Sequence, residues 1–177
     1  MAKNEPSPAR PLPGEYADFH AGYVGLVPET DVVKVMDKQR NELLKLIKSI
    51  PEKRSTYRYE PGKWSIADVV GHVVDSERVF AFRALFIARG NTSPLPGFDQ
   101  DEFVATAQAE RFSIRELIEP FSELRKANVT LFRQLPPEAW SRKSTASGAP
   151  VSVRGLAYIL VGHVRHHMKV LNERYLA

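Results

Sequence analysis

Near the C-terminus the stretch GHVRHHMKVL, Gly162 to Leu171, places three of the chain's five histidines in five consecutive positions. Imidazole is the commonest side-chain ligand of metal ions. On a helix, residues three or four apart bring their Cβ atoms within about 5 to 6 Å, so His163 could share an ion with either His166 or His167. A helical wheel separates the two. At about 100° per residue, with His163 at zero, Leu156, Leu160, His167, Val170 and Leu171 fall within roughly 80° of it, and His166 falls near −60°. Arg154, Arg165, Lys169 and Asn172 occupy the opposite side. His163 and His167 therefore belong to the buried stripe, and His166 stands at its margin as a surface or supporting residue.

Two imidazoles on a buried face are costly to desolvate unless something holds them, and a divalent cation taking a lone pair from each does so. A third ligand must then come from another helix. His72 shares its helical face with Val69, Val73, Ser76 and Phe80. At 1.5 Å per residue it lies about 10 Å from the start of its helix, and His167 about 12 Å from the end of the last one. Antiparallel packing would bring them to one level. The plainer reading, three histidines that merely pack a core, requires no metal uptake at all.

The elements that must position these residues can be read from periodicity. The chain has 177 residues, 43% of them hydrophobic, which is enough for one sizeable core, and its net charge of +4 is dispersed among acidic residues. No basic stripe marks a nucleic-acid surface. Cysteine is absent, which excludes disulfides, thiolate ligands and a cysteine nucleophile. No signal peptide or membrane span is apparent, so the expectation is a cytoplasmic protein with no membrane partner. Residues 1–14, rich in Pro and polar residues, are expected to form a flexible arm, and residues 15–177 one domain.

Within that domain four long helices are predicted. The first runs from Asp31 to Ser49 on the stripe Val32, Val35, Met36, Leu43, Leu46, Ile47 and Ile50. The second starts at the N-cap Ser65, with Asp68 in a capping-box position, and ends at Gly90. A long connection follows, with a short helix around Asp99 to Gln108. Ser113 and Glu116 open the third long helix, in which Pro120 is expected to produce a kink. A turn near Trp140 and the loop STASGAP lead to Ser152, which caps a last helix from Val153 to about Tyr175. No stretch alternates long enough to read as a strand. The result is an all-α four-helix bundle.

Other residues around the histidines could serve as pocket walls, supports or proton carriers. Ser76 shares the His72 face. Arg83 lies on it about 16 Å further along and is expected to pair with Glu77 or Asp99. Asp75, Glu77, Asp99 and Tyr158 are candidate bases, each with a plainer structural role. Trp64, Phe80, Phe121 and Trp140 read as core.

The run YEPGKWSIADVVGHVVDSERVFAFRALFIARGNTSPLPGFDQDEFV, followed by SVRGLAYILVGHVRHHMKVLNERYL, resembles the DinB-like superfamily of damage-inducible-protein-like and bacillithiol-transferase-like domains. KWS, GH, the ER and FR pairs, LPGFDQD and GHxxHH carry the resemblance, which extends from about Glu15 to the C-terminus. It implies a bundle of up-down-down-up order, with an N-terminal arm and a long connection between helices two and three. The three metal histidines of such domains match His72, His163 and His167. It further implies a divalent metal, with zinc or nickel first and iron next, and frequent homodimers. Some relatives are hydrolases or S-transferases that use a low-molecular-weight thiol such as bacillithiol or mycothiol. The expectation is thus a metal-dependent hydrolase or thiol transferase acting on a small electrophile. The alternative is a non-catalytic metal-binding interaction or stress-response module.

Overall fold

Each long helix begins where the sequence supplies a side-chain oxygen for the unpaired amides of a first turn, and such caps each contribute about 0.5–2 kcal/mol. The computed structural model describes residues 9–177. A 3-10 turn at Asp18–His20 runs into the short α1 (Ala21–Gly25). Asp31 caps α2 (Val32–Lys48) by accepting from the Lys34 amide. Ser65 and Asp68 form a complete capping box on α3 (Ile66–Ala88). Asp99 caps α4 (Gln100–Ala107) through the Asp101 and Glu102 amides. A second capping box, Ser113 with Glu116, opens α5 (Ile114–Arg133), which continues through Pro120 as a single element. Ser152 caps α6 (Val153–Val170), and a π turn over Leu171–Tyr175 extends it.

The loop expected at STASGAP is instead a hairpin of β1 (Lys143–Ala146) and β2 (Ala149–Ser152). Its turn places Ser147 and Gly148 both at positive φ, 54° and 75°. Two such residues in succession match the twist of the flanking strands, and glycine takes the second without strain. Strands of four residues are too short for alternation to stand out. In the described part of the arm, Arg10 donates to the Val24 carbonyl and the Leu12 amide donates to the Glu15 carboxylate. The earlier residues of the predicted arm, 1–8, lie outside those described.

Contacts at the helix ends give the topology. The Glu52 carboxylate, just past α2, accepts from the Ile114 amide at the start of α5, while Asp37 pairs with Arg133 at the other end. These two helices are antiparallel. The Tyr175 hydroxyl donates to the Trp64 carbonyl, so the end of α6 lies beside the start of α3, and these two are antiparallel as well. Tyr158, near the start of α6, donates to the Glu29 and Thr30 carbonyls just ahead of α2, and Arg58, which bonds Asp68 in the first turn of α3, pairs with Glu110 just ahead of α5, so α2 is parallel to α6 and α3 to α5. The order is up-down-down-up.

The apolar core falls into two clusters. One holds Met36, Phe80, Val129 and Leu160, the other Leu43, Val73, Phe121 and Val164. Between them a chain of buried polar groups crosses the bundle. The Val161 carbonyl accepts from Gln39 at 2.9 Å, Gln39 accepts from Arg125 at 2.9 Å, and Arg125 donates two bonds to Glu77, at 2.9 and 2.7 Å. Asn128 donates to the same carboxylate at 2.6 Å. All four long helices contribute, so sliding any of them would strand a buried charge or amide. Among the described residues no helix is long and apolar enough to cross a membrane.

Candidate metal centre

One turn from that polar layer, α3 and α6 present the three histidines singled out by spacing. The antiparallel pairing required for a common level is the one observed. The Nε2 atoms of His72 and His163 lie 2.9 Å apart, and those of His163 and His167 lie 3.1 Å apart. Potential ligand atoms of all three fall within 4.8 Å of one another. The residues are 5%, 4% and 8% exposed, so water cannot satisfy the cluster in bulk fashion.

Burial settles their charge. His72 is pushed down to about 4, chiefly by desolvation, and the carboxylate of Asp101 opposes that shift. His163 and His167 fall well below the usual range, again first through burial and then through neighbouring imidazoles. All three are neutral at neutral pH, and each has a ring nitrogen with a free lone pair. The hydrogen-bonding arithmetic is poor: the His163 Nε2 faces two other Nε2 atoms, and one nitrogen cannot make a good bond to both. A cation resolves this. Two nitrogens bonded to one ion at about 2.1 Å can stand at most about 4.2 Å apart, and the 2.9 and 3.1 Å pairs meet that limit. The donor set therefore fits a divalent metal, and the cluster could hold one.

The surroundings come from several elements. Ser76, one turn after His72, places its hydroxyl 3.4 Å from the His72 Nε2. The Phe80 ring stands 5.6 Å from that of His163. Tyr23, from α1, packs edge-on to His163 and His166, at 5.4 Å from each. It can come this close because Gly162 has no side chain: a Cβ there would collide with the Tyr23 backbone carbonyl. His166 is half-buried at the margin of the stripe, its ring 5.0 Å from that of His167. The Nδ1 of His167 is buried without a hydrogen-bond partner among the described residues.

Over this cluster lies a groove of about 390 Å³, reached by His166 and His167 and walled by Tyr23, Tyr59, Trp64 and Asp101. The Trp64 ring lies 4.7 Å from that of His72, tilted by 51°, and donates its indole N–H to Asp101 at 3.1 Å. Trp64, read as core, packs half-buried against the apolar cluster of Leu43 and Val73, and it also lies beside His72 and reaches the Asp101 carboxylate with its N–H. Asp101 and Tyr23 were not found from sequence. They belong to a loop-flanked short helix and to a five-residue helix, where no period reports which way a side chain points.

Arg83 departs from its expected pairing with Glu77 or Asp99, and the candidate bases take the plainer structural roles. Glu77 does not pair with Arg83, nor is it free to act as a base, since Arg125 and Asn128 occupy its carboxylate. Asp99 is committed to capping α4. Asp75 pairs with Arg78 at 2.8 Å, although it lines a narrow cleft beside His72. Tyr158 donates to the Glu29 and Thr30 carbonyls at the head of α2. Arg83 donates to the Pro96 carbonyl and the Ser147 hydroxyl instead of reaching an acid.

Among curated proteins no sequence matches this chain. Two of the solved structures that share its fold are informative. One is YfiT from Bacillus subtilis, described as a probable metal-dependent hydrolase with an unusual four-helix bundle topology. It superposes with a TM-score of 0.75 over 96% of this chain and 93% of its own, at 14% identity. The other is a protein from Streptococcus pneumoniae, with a TM-score of 0.63, 12% identity and coverage of 88% of this chain and 98% of that one. The model of the DinB superfamily matches residues 36–171, from within α2 through the end of α6 with all three histidines included, and the chain belongs to that superfamily.

Proposed function

We propose that this chain is a metal-dependent enzyme in which His72, His163 and His167 hold a divalent cation, and in which the groove above them admits a small electrophile for attack by water or by a low-molecular-weight thiol. The observation that carries this reading is the convergence of three neutral, buried imidazole nitrogens beneath a groove open to solvent. Structural metal sites are closed by protein ligands, whereas catalytic ones keep a position for substrate. Here three ligands leave such a position.

A bound cation would supply Lewis acidity and favour the deprotonated form of water or thiol. The chain's own residues divide the remaining work. Trp64 shields His72 from bulk water, and Ser76 supports it at 3.4 Å. Asp101, bonded by the Trp64 indole, and His166 line the groove and are groups able to hold a proton. With no cysteine in the chain, any thiol must enter from outside. YfiT, the similar bundle, is described as a probable metal-dependent hydrolase, which supports the water arm. Zinc, nickel and iron suit such a donor set, and availability selects among them in cells.

The test is metal analysis of untagged protein, followed by a screen of the loaded form against esters, amides and electrophiles with added thiol. Turnover that disappears with chelator, returns with metal and is absent from His72→Ala is the expected result. Stoichiometric metal with no turnover in any arm would leave the non-catalytic module as the function.

A further inference from the structure

Tyr23, carried on α1, stands in the wall of the groove over the histidines, its ring edge-on to those of His163 and His166 and 5.4 Å from each. Among the described residues its hydroxyl has no hydrogen-bond partner, and it is not one of the unpartnered polar atoms sealed from solvent. It opens to water. Two other aromatic donors of the groove are already committed, the Tyr175 hydroxyl to the Trp64 carbonyl at 2.7 Å and the Trp64 indole to Asp101 at 3.1 Å. Packing against His163 needs only a ring: Phe80 makes the same kind of edge contact with that imidazole, at 5.6 Å, without a hydroxyl. The oxygen of Tyr23 is therefore not explained by packing.

The donor is also held in place. The Tyr23 backbone occupies the space that a side chain on Gly162 would take, and its carbonyl accepts from the Leu26 amide at 3.1 Å. Just beyond it, Arg10 donates to the Val24 carbonyl at 3.2 Å and Arg165 to the Leu26 carbonyl at 2.8 Å. A donor fixed before the substrate arrives needs no reorganisation when charge develops beside it. An ordinary phenol is protonated at neutral pH, and burial raises the pKa of this one further.

We propose that Tyr23 is a catalytic residue whose hydroxyl donates a hydrogen bond to the carbonyl oxygen of an ester, thioester or amide substrate as water or a thiol adds to that carbonyl. The proposal rests on the metal-centre reading and names the substrate class for it. The ring flanks one histidine of the cluster and the groove reaches another, so a carbonyl entering over the cluster passes beside the phenol. A lone pair of the nucleophile forms a bond to the carbonyl carbon, and the π pair of the C=O bond moves onto oxygen. Tyr23 donates to that oxygen and keeps its own proton. When the pair returns, the bond to the leaving group breaks, and that group departs with the proton lost by the water or thiol.

The experiment compares wild type with Tyr23→Phe, which removes the hydroxyl and keeps the ring against His163 and His166. Both are loaded with metal, counted, titrated calorimetrically with methylphosphonate, a tetrahedral oxyanion, and assayed with p-nitrophenyl acetate. Tyr23→Phe is expected to retain its metal, to bind the phosphonate at least about tenfold more weakly, as loss of a bond to a charged group implies, and to lose about 100- to 1000-fold in kcat with little change in KM. In wild type the Tyr23 Cζ resonance should move when the phosphonate binds. The phosphonate decides even where this ester is not turned over. Equal affinities in the two loaded proteins, or an unmoved Cζ resonance, overturn the proposal and leave the metal reading standing. Loss of metal from Tyr23→Phe overturns it too, because the hydroxyl would then support the ligands instead of meeting substrate. Wild type that takes up no metal sinks the metal reading, and the donor role with it.

Discussion

His166 and His167 are adjacent and chemically identical, and only the direction of their side chains separates their roles. The His167 ring is directed into the bundle, 3.1 Å from the His163 Nε2, whereas His166 packs on Tyr23 at the groove wall. His167→Ala is therefore expected to abolish stoichiometric metal retention after dialysis, measured by elemental analysis, while His166→Ala retains about one ion per chain. Equal loss in both would show that the helix face has been assigned wrongly. The histidine trio was legible because long helices convert spacing into direction. Arg83 shows the limit of that reasoning. A wheel places it on the His72 face but cannot show that Arg125, from another helix, already occupies Glu77. Trp64 and Asp101 lay within the KWS and LPGFDQD motifs, yet their mutual bond joins two segments whose relative placement only tertiary structure fixes.

Among the elements, the caps made the four long helices readable almost to the residue, since Asp31, Ser65, Ser113 and Ser152 are all used as the pattern requires. The hairpin and α1 were missed because four or five residues are too few to establish a period. The short α1 nevertheless matters to the site, as it brings Tyr23 against His163. Gly162→Ala should push it away, lower stability by about 1–3 kcal/mol and alter Tyr23 shifts; a urea midpoint and spectrum matching wild type would contradict that close approach. The same region should respond to acid. Arg165 on α6 binds the Glu29 carboxylate at 2.8 and 2.7 Å and lowers its pKa from 4.5 to about 2. Because the folded form holds the proton less tightly, this clamp contributes fully above about pH 4.5 and is lost as pH falls towards 2. Glu29→Gln should consequently lose less melting temperature than wild type between pH 5 and 2.5. An equal loss in both proteins would rule the clamp out.

For the whole molecule, the polar layer between two apolar clusters sets the register on which the histidines depend. Removing one partner of a buried ion pair typically costs about 3–5 kcal/mol, a large part of the roughly 5–15 kcal/mol that holds a domain folded. Glu77→Ala is thus expected to lower the urea midpoint severely, and metal affinity with it, although Glu77 touches no histidine ligand. A mild stability effect would mean that register is set elsewhere. The most direct test of the central claim is thermal melting of chelator-treated and metal-reloaded wild type beside His72→Ala, with metal counted in the same samples. One ion per chain in wild type is expected, with a melting temperature raised by about 5–10 °C at a metal concentration near 100 Kd, and neither in His72→Ala. Wild type that binds no stoichiometric metal and melts identically with and without chelator would show that the three histidines only pack the core.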